Sequence, residues 1–261
     1  VDMDKYIAFI PARGGSKSIP LKNIKKIDGR PLLYWTMDAA LECEKIDAVY
    51  VSTDDERIIE IVKEYTPINP NVKTEKLKWV KRSAKTASDT ASTESAMLEF
   101  ANQFDFENII LFQATSPLLE GRHLDEAILK YEEGDCDSLL SVVEQKRFVW
   151  KENEKGAYPV NYDFKNRPRR QDFEGYLVEN GAFYINKKEA LLKDENRLSG
   201  KIGMYPMDEA TYFDIDEPTD WIIIENLLKK KRFAKRKHRP IKLFVTDCDG
   251  VLTDGGMYYS E

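Results

Sequence analysis

Arg13, Lys17 and Lys22 surround the pair Gly14-Gly15 in the stretch Pro11-Ala12-Arg13-Gly14-Gly15-Ser16-Lys17-Ser18-Ile19-Pro20-Leu21-Lys22-Asn23. Adjacent glycines let a backbone turn tightly and approach a ligand closely. Cations beside such a backbone suit a polyphosphate. The stretch is not a Walker A loop, because Ser16 separates Gly15 from Lys17, and its glycine spacing is not GxGxxG. The plain alternative is a basic strand-to-helix turn. Four further segments hold reactive groups. Arg82 and the run Ser88-Asp89-Thr90-Ala91-Ser92-Thr93 offer hydroxyls and a guanidinium, although Ser, Thr and Asp are also ordinary helix caps. Leu111-Phe112-Gln113-Ala114-Thr115-Ser116-Pro117-Leu118 reads as a strand and a turn. Arg167-Pro168-Arg169-Arg170-Gln171-Asp172 is either a solvated basic loop or a carboxylate clamp, since arginine forks match carboxylates. Asp214-Ile215-Asp216 would put two carboxylates on one face of a strand. They would repel unless a cation such as Mg²⁺ sat between them; the alternative is a pair of exposed acids.

These residues need a frame. Tyr6 to Ile10, Ala48 to Thr53, Asn108 to Gln113, Ser138 to Val143 and Asn180 to Ile185 read as buried strands. Leu32 to Leu41 after Pro31, Glu56 to Tyr65 behind an Asp54 or Asp55 cap, Arg122 to Glu133, and Pro218 to Lys230 read as helices. Phe213 to Asp216 is expected to be extended. Strands alternating with helices predict an α/β fold with a mostly parallel sheet and helices on both faces. Ligands on such sheets bind at the carboxyl ends of strands, and Arg13, Gln113 and Ser116 fall just past three of them. Arg147 to Val178 interrupts the alternation and is expected to form a lid or a dimerisation arm. The charge run at 229–240 reads as a solvated helix end and linker in preference to a polyanion patch. A further apolar strand, Ile241 to Thr246, leads into Asp247-Cys248-Asp249-Gly250.

A chain of 261 residues holds one large domain or one and a fraction, and 42% apolar residues suffice for a full core. The net charge of −6 gives no global drive toward nucleic acid, so an anionic substrate needs a locally basic pocket. Cys43, Cys136 and Cys248 lack metal or redox spacing, which predicts a reducing compartment without a disulfide framework. With only His123 and His238, a histidine-built metal site is not expected. No apolar run reaches about 18 residues, and the first residues lack a signal-peptide core, so neither a membrane span nor secretion is expected.

The opening stretch, taken with the four segments above and Glu179-Asn180-Gly181-Ala182-Phe183-Tyr184, resembles the acylneuraminate cytidylyltransferases, the CMP-sialic acid synthetases, of the animal type. The family usually has glycine where this chain has Ser18. The resemblance covers roughly residues 6–228. It implies a nucleotide-diphospho-sugar transferase fold, Rossmann-like, and transfer of CMP from CTP to a nonulosonic acid with Mg²⁺ as cofactor. It implies that Arg13, Gly14, Gly15, Ser16, Lys17, Lys22 and Asn23 bind the nucleotide, with Arg82, Ala91 and Thr93 reading cytosine. Gln113, Arg169, Gln171 and Tyr184 would hold the sugar acid, and Asp214 and Asp216 the metal. Arg13, Lys22, Asp214 and Asp216 would carry catalysis. Other acceptors of the same chemistry are the deaminated nonulosonic acid, legionaminic acid and the eight-carbon acid KDO. A rival of another class is a non-catalytic nucleotide-binding scaffold. The family also implies a homodimer joined through the 147–178 arm, in the cytoplasm or, for an animal chain, the nucleus. Residues 241–261 resemble the first motif of haloacid-dehalogenase-type phosphatases, with Asp247 as nucleophile and Asp249 as acid/base. Without the later motifs of that fold, phosphatase activity is not expected of this stretch; in a longer parent chain such a domain would support higher oligomers.

Overall fold

Tyr6 to Ile10 are buried on both faces, as a near-continuous apolar run in a parallel sheet must be. The structure, a computed structural model, describes residues 4–235. The expected strand Ile241 to Thr246, Asp247, Cys248, Asp249 and His238 lie outside the described residues. The central sheet has seven strands: β1 (Asp4–Pro11), β2 (Ala48–Thr53), β3 (Leu77–Lys81), β4 (Phe106–Phe112), β5 (Ser138–Gln145), β6 (Tyr176–Lys187) and β7 (Ile202–Met207). Their order is β7-β5-β6-β4-β1-β2-β3. Only β6 runs against its neighbours; every other pairing is parallel. The helices are α1 (Leu32–Glu42), α2 (Glu56–Lys63), α3 (Ala84–Ala87), α4 (Thr93–Ala101), α5 (Gly121–Glu133), α6 (Lys188–Asp194) and α7 (Pro218–Lys235).

Helices cover both faces. Leu33 and Met37 of α1, Ile58 of α2 and Leu124 and Ile128 of α5 join one apolar core with Ala8 and Ile10. Met97 and Phe100 of α4 and Leu191 of α6 join the opposite core with Ile7 and Phe9. The alternation of Ile7 and Phe9 with Ala8 and Ile10 is the period-two pattern of a strand packed on two sides. Asp55 caps α2, its side chain accepting from Arg57 N at 2.8 Å.

Several expectations need correction. The chain has two further strands at the sheet's edges. β3 is lysine-rich and mostly exposed, and β7 carries Pro206, so neither shows a buried-strand pattern. β6 begins at Tyr176, so the last residues of the expected arm belong to the sheet. The arm leaves the carboxyl end of β5 and returns at the same end into β6, which makes that pair antiparallel. It contains a two-stranded ribbon, Trp150–Asn153 paired with Gly156–Pro159. Helix α2 stops at Lys63, with Glu64 as its cap, and α7 continues to Lys235, so residues 229–235 are helix and not linker. Phe213 to Asp216 is irregular backbone after a short 3-10 turn, outside the sheet.

One acid ties the sheet's amino edge to α5. Glu132 accepts from Lys5 Nζ at 2.8 Å and Lys45 Nζ at 2.5 Å. These two hydrogen bonds hold its carboxyl down, to about 2. A depressed folded-state value means the stabilisation is complete above the ordinary glutamate range and is lost as pH falls toward 2. Glu132→Gln is expected to cost about 1 kcal/mol at neutral pH, after allowance for solvent screening. Denaturant melts across pH 2–7 should show that cost vanishing at the acid end; a pH-independent cost would remove the ion pairs as its cause.

Candidate functional site

The basic stretch is folded onto the ends of β1 and β2. Ala12 N donates to Ser52 O at 2.9 Å, and Gly14 N donates to Asp54 Oδ1 at 3.1 Å. A Cβ on Gly14 would lie 2.2 Å from Asp55 Oδ2, so only glycine permits this approach. Beyond it the chain turns through Lys22 N to Ile19 O at 3.2 Å and Ile24 N to Leu21 O at 3.0 Å. Asn23 Nδ2 donates to Arg13 O at 3.1 Å and closes the loop on itself. Ile19 anchors it in a third apolar cluster with Ile215, Trp221 and Ile224. That cluster ties the basic loop to the Asp214–Asp216 segment, about 200 residues away in sequence. Ser18, the departure from the family pattern, adds a hydrogen bond from its hydroxyl to Asp216 O at 2.5 Å.

A cavity of about 390 Å³ opens beside this loop, at the carboxyl ends of β1, β2, β3 and β4. Arg13, Ser16, Lys22 and Asn23 line one side. Arg82, Asp89, Ala91 and Thr93 line another, and Gln113, Thr115 and Asp216 complete it. Arg82 follows β3, and its N–H donates to Thr53 O at 2.9 Å. Its guanidinium is buried and donates to Thr86 O, while Nε is buried without a hydrogen-bond partner. Burial pushes its pKa down, opposed by Asp54 and Glu99. A buried cation with an unused donor is chemically suited to an anionic or carbonyl-bearing ligand. The following loop is fixed at both ends by caps: Ser83 starts α3 and Ser92 starts α4, accepting from Ser95 N at 3.1 Å.

Lys22 is mostly buried and donates to Ile215 O at 2.7 Å, with Asp216 Oδ1 at 3.7 Å. Ile215 N donates to Thr115 O at 3.0 Å, and Asp220 Oδ2 accepts from the N–H groups of Asp216 and Glu217 at 3.1 and 2.8 Å. With Ile215 locked inward, its two neighbours face out. They do not share one cavity: Asp216 lines the basic one, and Asp214 lines a second, of about 510 Å³. Burial raises the Asp214 carboxyl, and the neighbouring charges of Asp216 and Asp220 raise it further. A cation bound near these acids would relieve that repulsion. Among the described residues no cluster of three or more His, Cys, Asp or Glu could cage a metal. Two carboxylates are a donor set that Mg²⁺ would accept, since it takes one or two and fills its remaining positions with ligand phosphates and water.

The second cavity is bounded by Glu179, Asn180, Gly181, Tyr184, Tyr212 and Asp214. Gly181 has a φ of +67°, and a Cβ there would lie 3.1 Å from Gln113 Oε1. Gln113 thus stands at the boundary of the two cavities. Tyr184 donates to Glu179, and Arg197 lies 5.0 Å from its ring centre with Nε 2.5 Å from Glu94 Oε1.

Nine of the expected residues meet in the basic cavity: Arg13, Ser16, Lys22, Asn23, Arg82, Ala91, Thr93, Gln113 and Asp216. Gly14 and Gly15 shape the loop without lining it, and Lys17 is an exposed cation paired with Asp89 at 3.0 Å. Tyr184 and Asp214 belong to the second cavity. Arg169 and Gln171 are exposed on the arm and line neither. Arg170 reaches only to within 4.0 Å of Glu209. The acids Asp54, Asp89, Glu179 and Asp220 are additions. Asp54 stands directly after a strand end, and Asp89 and Glu179 lie inside segments that the sequence already singles out.

The sequence model described as "Cytidylyltransferase" matches residues 7–244. An N-acylneuraminate cytidylyltransferase A of Danio rerio is 39% identical over 97% of this chain, and the chain spans 58% of that relative. A pseudaminic acid cytidylyltransferase of Campylobacter jejuni is 31% identical over 83% of this chain and 93% of its own length. Among solved structures, a CMP:2-keto-3-deoxy-manno-octonic acid synthetase complexed with CTP superposes with a TM-score of 0.61 at 17% identity, covering 87% of this chain and 99% of that one. A 4-diphosphocytidyl-2C-methyl-D-erythritol synthase of Anaerococcus prevotii gives 0.63 at 16% identity, covering 86% and 96%. At those identities the superpositions speak for the fold alone. The sequence match spans the basic loop, the Arg82–Thr93 segment, Gln113 and both aspartates, and on that match the chain belongs to the cytidylyltransferase family.

Proposed function

We propose that this chain transfers CMP from CTP to a sialic-type nonulosonic acid, releasing pyrophosphate. The observation that carries the reading is the convergence of Arg13, Lys22, Arg82, Asn23 and Gln113 on one cavity that Asp216 also lines. The triphosphate lies against Arg13 and Lys22, with Lys17 at the rim; the base lies against Arg82, Ala91 and Thr93. Telling cytosine from uracil needs donors and acceptors at fixed places, and an unpaired one costs about 1–3 kcal/mol. The sugar acid occupies the second cavity, with Gln113 between the two ligands. Its anomeric hydroxyl attacks the α-phosphorus in line, the bond to the pyrophosphate oxygen breaks, and the hydroxyl proton passes to solvent. Phosphoryl chemistry depends mainly on positioning and charge neutralisation, which this arrangement supplies. Asp214 and Asp216 would hold Mg²⁺, which offsets phosphate charge. Lys22, held by Ile215 O, stabilises the departing pyrophosphate.

The arm is the surface for a second copy of the chain. Trp150, Tyr158 and Phe164 are exposed on it, and it leaves the sheet at the edge that carries the site. Bringing Arg169 or Gln171 to a sugar carboxylate would fall to the partner's arm or to closure of this one. Among the described residues no helix is long and apolar enough to cross a membrane. The phosphatase-like motif around Asp247 and Asp249 would belong to a second activity of a longer chain.

A pyrophosphate-release assay tests the reading. CTP with each of N-acylneuraminic, deaminated nonulosonic, legionaminic and pseudaminic acids and KDO is expected to give release with at least one nonulosonic acid and none with UTP. Release confined to KDO would move the substrate class. No release with any of them, despite CTP binding, would favour the scaffold reading.

A further inference from the structure

The loop cations already face internal anions. Lys22 faces Asp216, while Arg13 and Lys17 share Asp89: Arg13 Nη1 lies 3.5 Å from Oδ1 and Lys17 Nζ 3.0 Å from Oδ2. Asp216 has a place in the proposed reaction; Asp89 has none, although it lines the same cavity. Its two oxygens are divided between two cations, as the oxygens of one phosphate group would be. Arg13 also donates to Ser88 O at 3.4 Å, and the same carbonyl accepts from Ala91 N at 3.1 Å. One guanidinium therefore holds the start of the segment that ends at Ala91, on the base side of the cavity. Between α3 and the Ser92 cap there are only residues 88–91, too few for Asp89 to move without them.

We propose that Asp89 is an internal stand-in for a phosphate group: its carboxylate and the nucleotide's phosphates compete for Arg13 and Lys17, and the outcome sets the position of residues 88–91. This rests on the triphosphate reading of the basic loop. Phosphate binding then frees the segment carrying Ala91, so that phosphates and base are sensed together. Asp89 is about half exposed, so the competition is mild. Two exposed ion pairs make it a matter of about threefold to tenfold in affinity.

The test uses the full chain and inorganic pyrophosphate in EDTA at low salt. Calorimetry is expected to show Asp89→Asn binding pyrophosphate about threefold to tenfold more tightly than the unaltered protein, with the gain shrinking at high salt. A second readout needs no variant: pyrophosphate alone should speed amide hydrogen exchange at residues 88–91 of the unaltered protein. In Asp89→Asn, exchange there should be fast from the start and unmoved by pyrophosphate. Weaker binding by Asp89→Asn would mean that the acid organises the cations for phosphate, and unchanged binding that the pairs are decorative; either overturns the proposal. Arg13→Ala separates the two levels. If it abolishes pyrophosphate binding while Asp89→Asn changes nothing, the triphosphate reading stands and the stand-in falls. If it too changes nothing, both fall.

Discussion

Arg13→Ala is expected to lower kcat/KM for CTP by roughly ten- to 150-fold, the equivalent of losing one charge-assisted hydrogen bond to phosphate, about 1.5–3 kcal/mol. The fold should survive. Asn23 holds the backbone carbonyl of Arg13 and not its side chain, and Gly14 is held by Asp54. Among the described residues the guanidinium's polar contacts are Ser88 O and Asp89, and Asp89 lines the cavity. Loss of the side chain therefore removes charge facing the ligand and little packing. Steady-state kinetics with CTP varied, beside a thermal melt, give the answer. Unchanged kinetics would make the loop a structural turn and withdraw it from the site.

Asp216→Asn is expected to slow turnover at least about tenfold at saturating CTP, about 1.4 kcal/mol on the barrier. The cation concentration needed for half-maximal rate should rise as well. The side chain is 70% exposed, and the backbone around it is fixed by Ile215, Ser18 and Asp220, so the substitution reaches charge and not fold. It also releases Lys22 from its facing acid, which by itself would favour the triphosphate. Tighter CTP binding with slower turnover is thus the combination that marks Asp216 as part of the reacting arrangement. Mn²⁺ titration followed by electron paramagnetic resonance gives a readout independent of turnover. Near-normal turnover at limiting Mg²⁺ would end the metal assignment. Asp214 offers a pH counterpart. Burial and the neighbouring acids raise its carboxyl above the ordinary aspartate value, so as pH falls it loses its charge sooner than an ordinary aspartate would.

Much of the frame is local in origin. Tyr6 to Ile10, Ala48 to Thr53 and Asn108 to Gln113 have no polar face to offer water, so they must be interior strands whatever surrounds them. The positions just past such strands follow from the same logic, which is why Arg13 and Gln113 could be named as site residues. The glycines and cations of residues 13–22 and the Ser caps before α3 and α4 are equally local signals. Where local pattern and tertiary role part, the reading fails. The edge strands β3 and β7 carry lysines, glycine and proline because an edge needs no second apolar face. The reversal of β6 follows from where the arm returns, which no residue in β6 encodes.

The amino-acid sequence by itself determined the α/β class, the buried strands, the basic glycine loop and the family, because those depend on residue types and short spacings. Tertiary packing decided which of those residues meet. Ile19 and Ile215 entered one apolar cluster, and that contact brought the cationic loop to Asp216. The same inward turn of Ile215 sent Asp214 and Asp216 into neighbouring cavities instead of one. Asp89 landed on Arg13 and Lys17, although the chain separates it from both by about 70 residues. Arg169 and Gln171 stayed out on the arm. Charges reveal their type in sequence, but their partners depend on distance and burial, and those exist only once the apolar side chains have fixed the backbone.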